Sequence, residues 1–181
     1  GTAINYAVPN NVSNVPAGII NKVVDFTLPI RPLEKSSINL AFGKGRLVRP
    51  KNGNNYYRPR PYYEAEITLG KEFWVPPLTD FVPNTISEPV VFKAYTNSGM
   101  YFDCNFNRKN TEKNDKRPLY QTGGDFQSTP REALGIFVKN KLIEAGAMNY
   151  GDRVTNDTLA YYGRNEIKVR MIDKNTIHLQ F

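Results

Sequence analysis

Histidine and cysteine are nearly missing: the 181 residues hold one of each, His178 and Cys104. A lone cysteine rules out an internal disulfide and suits a reducing cytoplasm. One cysteine and one histidine are too few for a zinc site built from those ligands, and a two-histidine catalytic dyad is excluded within one chain. A Ser-His-Asp set survives the count, but no serine sits in a G-x-S-x-G elbow. No apolar run approaches the roughly 20 residues that span a bilayer, and the N-terminus shows no basic-then-apolar signal pattern. The chain begins with Gly1 rather than Met, so it reads as part of something longer. Negative charge is missing altogether from residues 41–63.

That stretch reads AFGKGRLVRPKNGNNYYRPRPYY, with Lys44, Arg46, Arg49, Lys51, Arg58 and Arg60 set among glycine, proline, asparagine and tyrosine. It has no hydrophobic face to bury, so it is expected to stand out from the folded body as a basic arm. The whole chain carries a formal charge of +7, which favours a polyanionic partner. A content of 40% hydrophobic and 23% charged residues is that of an ordinary globular domain. The length fits one domain, residues 22–181, behind a linker or extension at 1–21 rich in Asn, Pro, Ser and Val.

Alternation gives most of the elements. Val24, Phe26, Leu28 and Ile30 share one side of a first strand, with Pro29 placing its end at an edge. Residues 37–42 read as a short strand or turn. Tyr63, Ala65, Ile67 and Leu69 alternate with Glu64, Glu66 and Thr68; Gly70 breaks this strand and residues 71–75 resume it. The sole tryptophan, Trp74, falls here and is expected to pack. Residues 90–96 and 100–106 form a hairpin across Asn97-Ser98-Gly99. Met100, Phe102, Cys104 and Phe106 lie on one face, which makes Cys104 a small buried hydrophobe. A second polar stretch follows at 107–128, where the Gly123-Gly124 pair allows a sharp turn.

A helix then starts with Thr129 as N-cap, Pro130 in the first helical position and Glu132 completing a capping box. Leu134, Phe137, Val138, Leu142 and Ala145 form its apolar stripe, and Gly146 ends it. Thr155 opens a second, short helix between Val154 and Leu159, and Gly163 ends that one. A closing hairpin sets Ile167, Val169 and Met171 against Ile177, Leu179 and Phe181, with its turn at 173–175 and His178 facing solvent. Many short strands, two late helices and two long polar loops give a mainly β barrel or open sheet, not a βαβ sheet.

No residue set makes an active site. Gly43-Lys44-Gly45 lacks the spacing and ending of a phosphate loop. Glu64 and Glu66 are explained by surface strand polarity better than by a metal. Neither a metal nor a cofactor is expected, and the chain is not read as an enzyme. Recognition remains. Arginine pairs with guanine, Asn and Gln with adenine, and carboxylates accept from cytosine, while lysine and arginine also neutralise phosphates. The first arm offers Lys44, Arg46, Arg49, Lys51, Asn52, Asn54, Tyr56, Tyr57, Arg58 and Arg60. The second offers Asn105, Asn107, Arg108, Lys109, Asn110, Lys116, Arg117, Gln121, Asp125 and Gln127. Such a mixture suits sequence-specific duplex DNA. Tyr56 and Tyr57 could instead stack on bases in an OB-like single-strand or RNA binder; an autonomous nuclease is the remaining alternative.

The order of several motifs resembles a known family. The segment Phe137-Val138-Lys139-Asn140-Lys141-Leu142 followed by Gly151-Asp152 resembles the helix-to-GD segment of B3 DNA-binding domains. Leu47-Val48-Arg49-Pro50, Tyr56 to Arg60, Tyr63-Glu64 and the run from Gly151 to Arg164 resemble the C-terminal domains of phospholipase-D-like restriction endonucleases of the NgoFVII/NgoAVII (BfiI-like) type. The resemblance covers residues 38–181. It implies a seven-stranded open β-pseudobarrel with two short helices. It also implies two arms, at 44–60 and 105–127, that grip the major groove and read a short duplex site. The nuclease in that family is a separate N-terminal phospholipase-D-like domain, working without metal through a His-Lys motif absent here. This chain would then be the target-recognition domain of a bacterial, cytoplasmic restriction enzyme.

Overall fold

A computed structural model of the chain describes residues 24–32, 45–76, 78, 82, 90–108 and 124–181. Nine strands and two α-helices are present among them. The strands are β1 (Val24–Pro29), β2 (Gly45–Val48), β3 (Tyr56–Pro59), β4 (Glu66–Leu69), β5 (Val91–Thr96), β6 (Tyr101–Arg108), β7 (Gly124–Thr129), β8 (Glu166–Asp173) and β9 (Thr176–Gln180). The helices are α1 (Arg131–Glu144) and α2 (Asn156–Tyr162). Neither is long and apolar enough to cross a membrane.

Seven strands form one sheet in the order β1-β8-β9-β5-β6-β7-β4. Its edges, β1 and β4, approach one another, so the sheet curls into a nearly closed barrel. This is the expected mainly β pseudobarrel with two helices. All pairings are antiparallel except β5 with β9. Pro29 ends the edge strand β1, where a missing N–H costs no ladder bond. The interior takes one residue in two from each strand. Leu28, Ile67, Phe92, Phe102, Phe106, Phe126, Val169 and Leu179 are all buried there. Cys104 is buried among them, and burial pushes its thiol well up, so it acts as a hydrophobe.

Four local expectations need correction. Residues 71–75 do not resume a strand. They form a 3-10 turn over Lys71–Phe73 that carries Trp74 into the core. β7 begins at Gly124, opposite Leu69, so a strand running past Leu69 meets no described partner. Gly124 itself is not a turn residue but opens β7. A side chain there would strike the Asn107 carbonyl and the Trp74 ring.

The cap of α1 also differs. Pro130 is the N-cap residue and gives no side-chain bond, while Thr129 ends β7. The buried Ser128 replaces the expected box: its hydroxyl accepts from the Leu134 N–H at 3.0 Å and donates to the Pro130 carbonyl at 2.7 Å. The C-terminus ends as expected. Gly146 adopts φ +74°, its N–H bonds to Ile143, and that of Ala147 bonds to Leu142. In α2, Thr155 and Thr158 form a capping box and Gly163 closes the helix at φ +87°. Val154 and Leu159 are both buried beside that cap. The 97–99 turn and the closing β8–β9 hairpin also form as read, with Gly99 at φ +85°. His178 is half-buried rather than open to solvent, and burial, then Arg170, lowers its pKa.

Candidate nucleic-acid interface

The first basic stretch folds into its own two-stranded ladder, β2 with β3, outside the seven-stranded sheet. The register sets Arg46 opposite Arg58, Leu47 opposite Tyr57 and Val48 opposite Tyr56. The connecting turn holds Arg49, Lys51, Asn52, Asn54 and Asn55, all exposed, with Gly53 at φ +116°. Tyr56 follows with 55% of its surface exposed. Lys44 lies outside the described residues.

The hairpin's root is pinned to α1. A turn closes from Glu64 N–H to the Pro61 carbonyl, and the Ala65 N–H bonds to the Arg131 carbonyl. Glu64 lies between two guanidiniums, Arg60 at 3.5 Å and Arg131 at 3.7 Å. Arg60 is thus held at the root rather than at the tip. Gly135 lets the helix backbone meet the Tyr63 carbonyl, where a side chain would collide. One turn further along, fully buried Lys139 donates from Nζ to the Tyr62 carbonyl at 2.7 Å and lies 4.1 Å from that ring's centroid. Asn140 accepts from the Tyr63 hydroxyl at 2.8 Å, and the Tyr62 hydroxyl donates to the Asp152 carbonyl at 2.8 Å. Tyr150 packs edge-on against Tyr62, with ring centroids 4.8 Å apart. Burial lowers the Lys139 pKa to about 8 and pushes Tyr62 up to about 12. Tyr63 rises in the same direction and for the same reason.

Lys139 and Asn140 carry the arm although sequence reasoning assigned the α1 stripe to the core alone. The signal was present: Lys139 falls four residues after Gly135 and three before Leu142, inside the buried face.

The second polar stretch grows from β6 and β7. Lys109, Asn110, Lys116, Arg117 and Gln121 lie outside the described residues, and Arg108 is the last residue of β6. The other four expected residues come together. On the outward side of β4, β7 and β6, one register row is Glu66, Gln127, Asn105 and the next is Thr68, Asp125, Asn107. Gln127 Nε2 donates to Glu66 Oε2 at 3.2 Å and to Asp125 Oδ1 at 2.9 Å. Asn105 Nδ2 donates to Asn107 Oδ1 at 2.6 Å. The intervening residues, Ile67, Phe126 and Phe106, point into the core.

Glu66 was read with Glu64 as ordinary surface polarity. It is instead buried at 9% exposure and bonded to Gln127. The two carboxylates serve different places, Glu64 the hairpin root and Glu66 the polar strip. β4 links these places: the first hairpin leads into it, and it pairs with the strand that descends from the second stretch.

No curated protein matches the chain. A family model described as the NgoFVII C-terminal B3-like DNA-binding domain matches residues 20–173, which span both polar stretches, both helices and every strand of the barrel except β9. With its curled seven-stranded sheet, its two helices and this match over most of its length, the chain belongs to the family of NgoFVII C-terminal B3-like DNA-binding domains.

Proposed function

We propose that the chain reads a short duplex DNA sequence through the major groove, with the β2–β3 hairpin and the β6–β7 stretch as its two arms. It would serve as the target-recognition part of a restriction endonuclease in the bacterial cytoplasm. A separate phospholipase-D-like domain would supply the nuclease, and this chain itself would cut nothing. The observation that carries the reading is the β2–β3 ladder. It lies outside the barrel, opposes Arg46 to Arg58, and contains no acidic residue from Gly45 to Pro59. Cations there neutralise phosphates, and the Asn side chains of its turn, with the Asn, Gln and Asp side chains of β6 and β7, have the donors and acceptors that base edges require.

Selection from a random duplex library followed by methylation interference at guanine N7 tests this. One short motif, with interference at N7 atoms inside it, is the expected result, because N7 lies in the major groove. No enriched motif, or a motif indifferent to N7 methylation, contradicts it. The exposed Tyr56 favours a second reading, in which bases of a single strand stack on the hairpin. Tighter binding to single strands than to any duplex, lost in Tyr56→Ala, would select that reading.

A further inference from the structure

The Gln127 amide is locked. It lies at the centre of the polar strip, opposite Glu66 across β4 and two residues beyond Asp125 on the same side of β7. Its Nε2 carries two hydrogens, and both are used: one goes to Glu66 Oε2 at 3.2 Å, the other to Asp125 Oδ1 at 2.9 Å. Carboxylates only accept, so the amide cannot be turned over without placing its carbonyl oxygen against two anions. The half-buried side chain therefore has one polar atom to offer a ligand, the acceptor Oε1. Glu66 and Asp125, at 9% and 8% exposure, are held in place by the sheet and cannot swing aside easily. Beside Gln127 in the same row, Asn105 spends a donor on Asn107.

A glutamine recognises adenine by two bonds, giving a donor to N7 and an acceptor to the N6 amino group. With both donors spent, Gln127 can make only the N6 bond and leaves adenine N7 without a partner. Guanine is excluded more strongly, since its major-groove edge presents acceptors alone. Cytosine presents a single amino donor at N4, which matches a single acceptor. We infer that Gln127 is a specificity-determining residue that accepts from the N4 amino group of a cytosine, with Glu66 and Asp125 as positioning residues that fix its amide. This reverses the adenine-reading role that its residue type suggests. It rests on the proposal that the chain reads duplex DNA, and it deepens that reading by naming the chemistry of one contact.

The test uses the whole chain and the motif recovered from the random duplex library. Each cytosine of the motif is replaced in turn by 2-pyrimidinone, which lacks the amino group, and each adenine by purine. Binding is measured for the wild type and for Gln127→Ala, with thermal melting as the check on folding. One cytosine position should couple to Gln127: the analogue weakens wild-type binding by about tenfold there and leaves Gln127→Ala unaffected. Glu66→Gln provides an independent variant. Freed from one anion, the Gln127 amide can turn and pair with adenine. The preference for cytosine over adenine should then fall at that position alone, whereas a purely structural role would weaken binding at every position alike. Coupling of Gln127 to an adenine, a motif without cytosine, or equal analogue effects in both proteins overturns the inference while leaving duplex reading intact. A library that yields no preferred motif overturns both.

Discussion

Lys139 shows how one residue can carry an arm it never joins. Its ammonium is buried under the hairpin root, where its hydrogen bond to the Tyr62 carbonyl and the face of that ring replace part of its hydration. Burial lowers its pKa from 10.5 to about 8 in the folded chain. The folded state thus binds fewer protons than the unfolded state between those values, and stability rises with pH across that window. Tyr62 acts in the opposite sense only higher, since its folded pKa of about 12 lies above the free phenol value of 10; Tyr63 shifts the same way. Chemical denaturation at pH 8 and pH 10 should show the wild type gaining about 2 kcal/mol relative to Lys139→Met. Parallel pH profiles would mean that the lysine is not held in this way. The position was visible in the sequence as a lysine within an apolar stripe, but not its partner, because the Tyr62 carbonyl lies 77 residues away.

Elements with a strong local period were legible. β1, β5–β6 and β8–β9 alternate apolar and polar residues because one face of each lies in the barrel, and both helices carried their stop signals in Gly146 and Gly163. The β2–β3 ladder was not legible: glycine, proline and asparagine hide the pairing, and the apolar residues of Gly45–Val48 and Tyr56–Pro59 follow no period of two in the sequence. The start of α1 was legible as a start, yet the wrong side chain was assigned to it. Thr129-Pro130 fits a cap by residue type, whereas the fold turns Ser128 inward and exposes Thr129. Ser128→Ala should cost roughly 1–2 kcal/mol through the lost cap and the unsatisfied Leu134 N–H. Thr129→Ala, at an exposed strand end, should stay within about 0.5 kcal/mol. Thermal melting of the two variants decides between the caps, and a larger loss at Thr129 would restore the sequence-based assignment.

Across the whole molecule, the parallel β5–β9 pairing and the approach of β1 to β4 were beyond sequence reading, since neither leaves a local signature. The β4–β7 and β6–β7 pairings place both arms on adjoining strands. The polar strip then occupies β4, β7 and β6, where Gln127, Asp125, Asn105 and Asn107 meet Glu66. The sequence separated these residues into an arm and a strand; the sheet register unites them. In the proposed reading, charge and specificity divide between the two parts: the net charge of +7 would supply affinity that salt weakens, and the locked amide and its neighbours would supply choice. The most direct measurement is equilibrium binding of the chain to its selected duplex and to a scrambled duplex of equal length, across a range of salt concentrations. Two falling lines of similar slope are predicted, separated by at least about a hundredfold at every salt concentration. Coincident lines would show that charge alone holds the DNA and would contradict sequence reading by this chain.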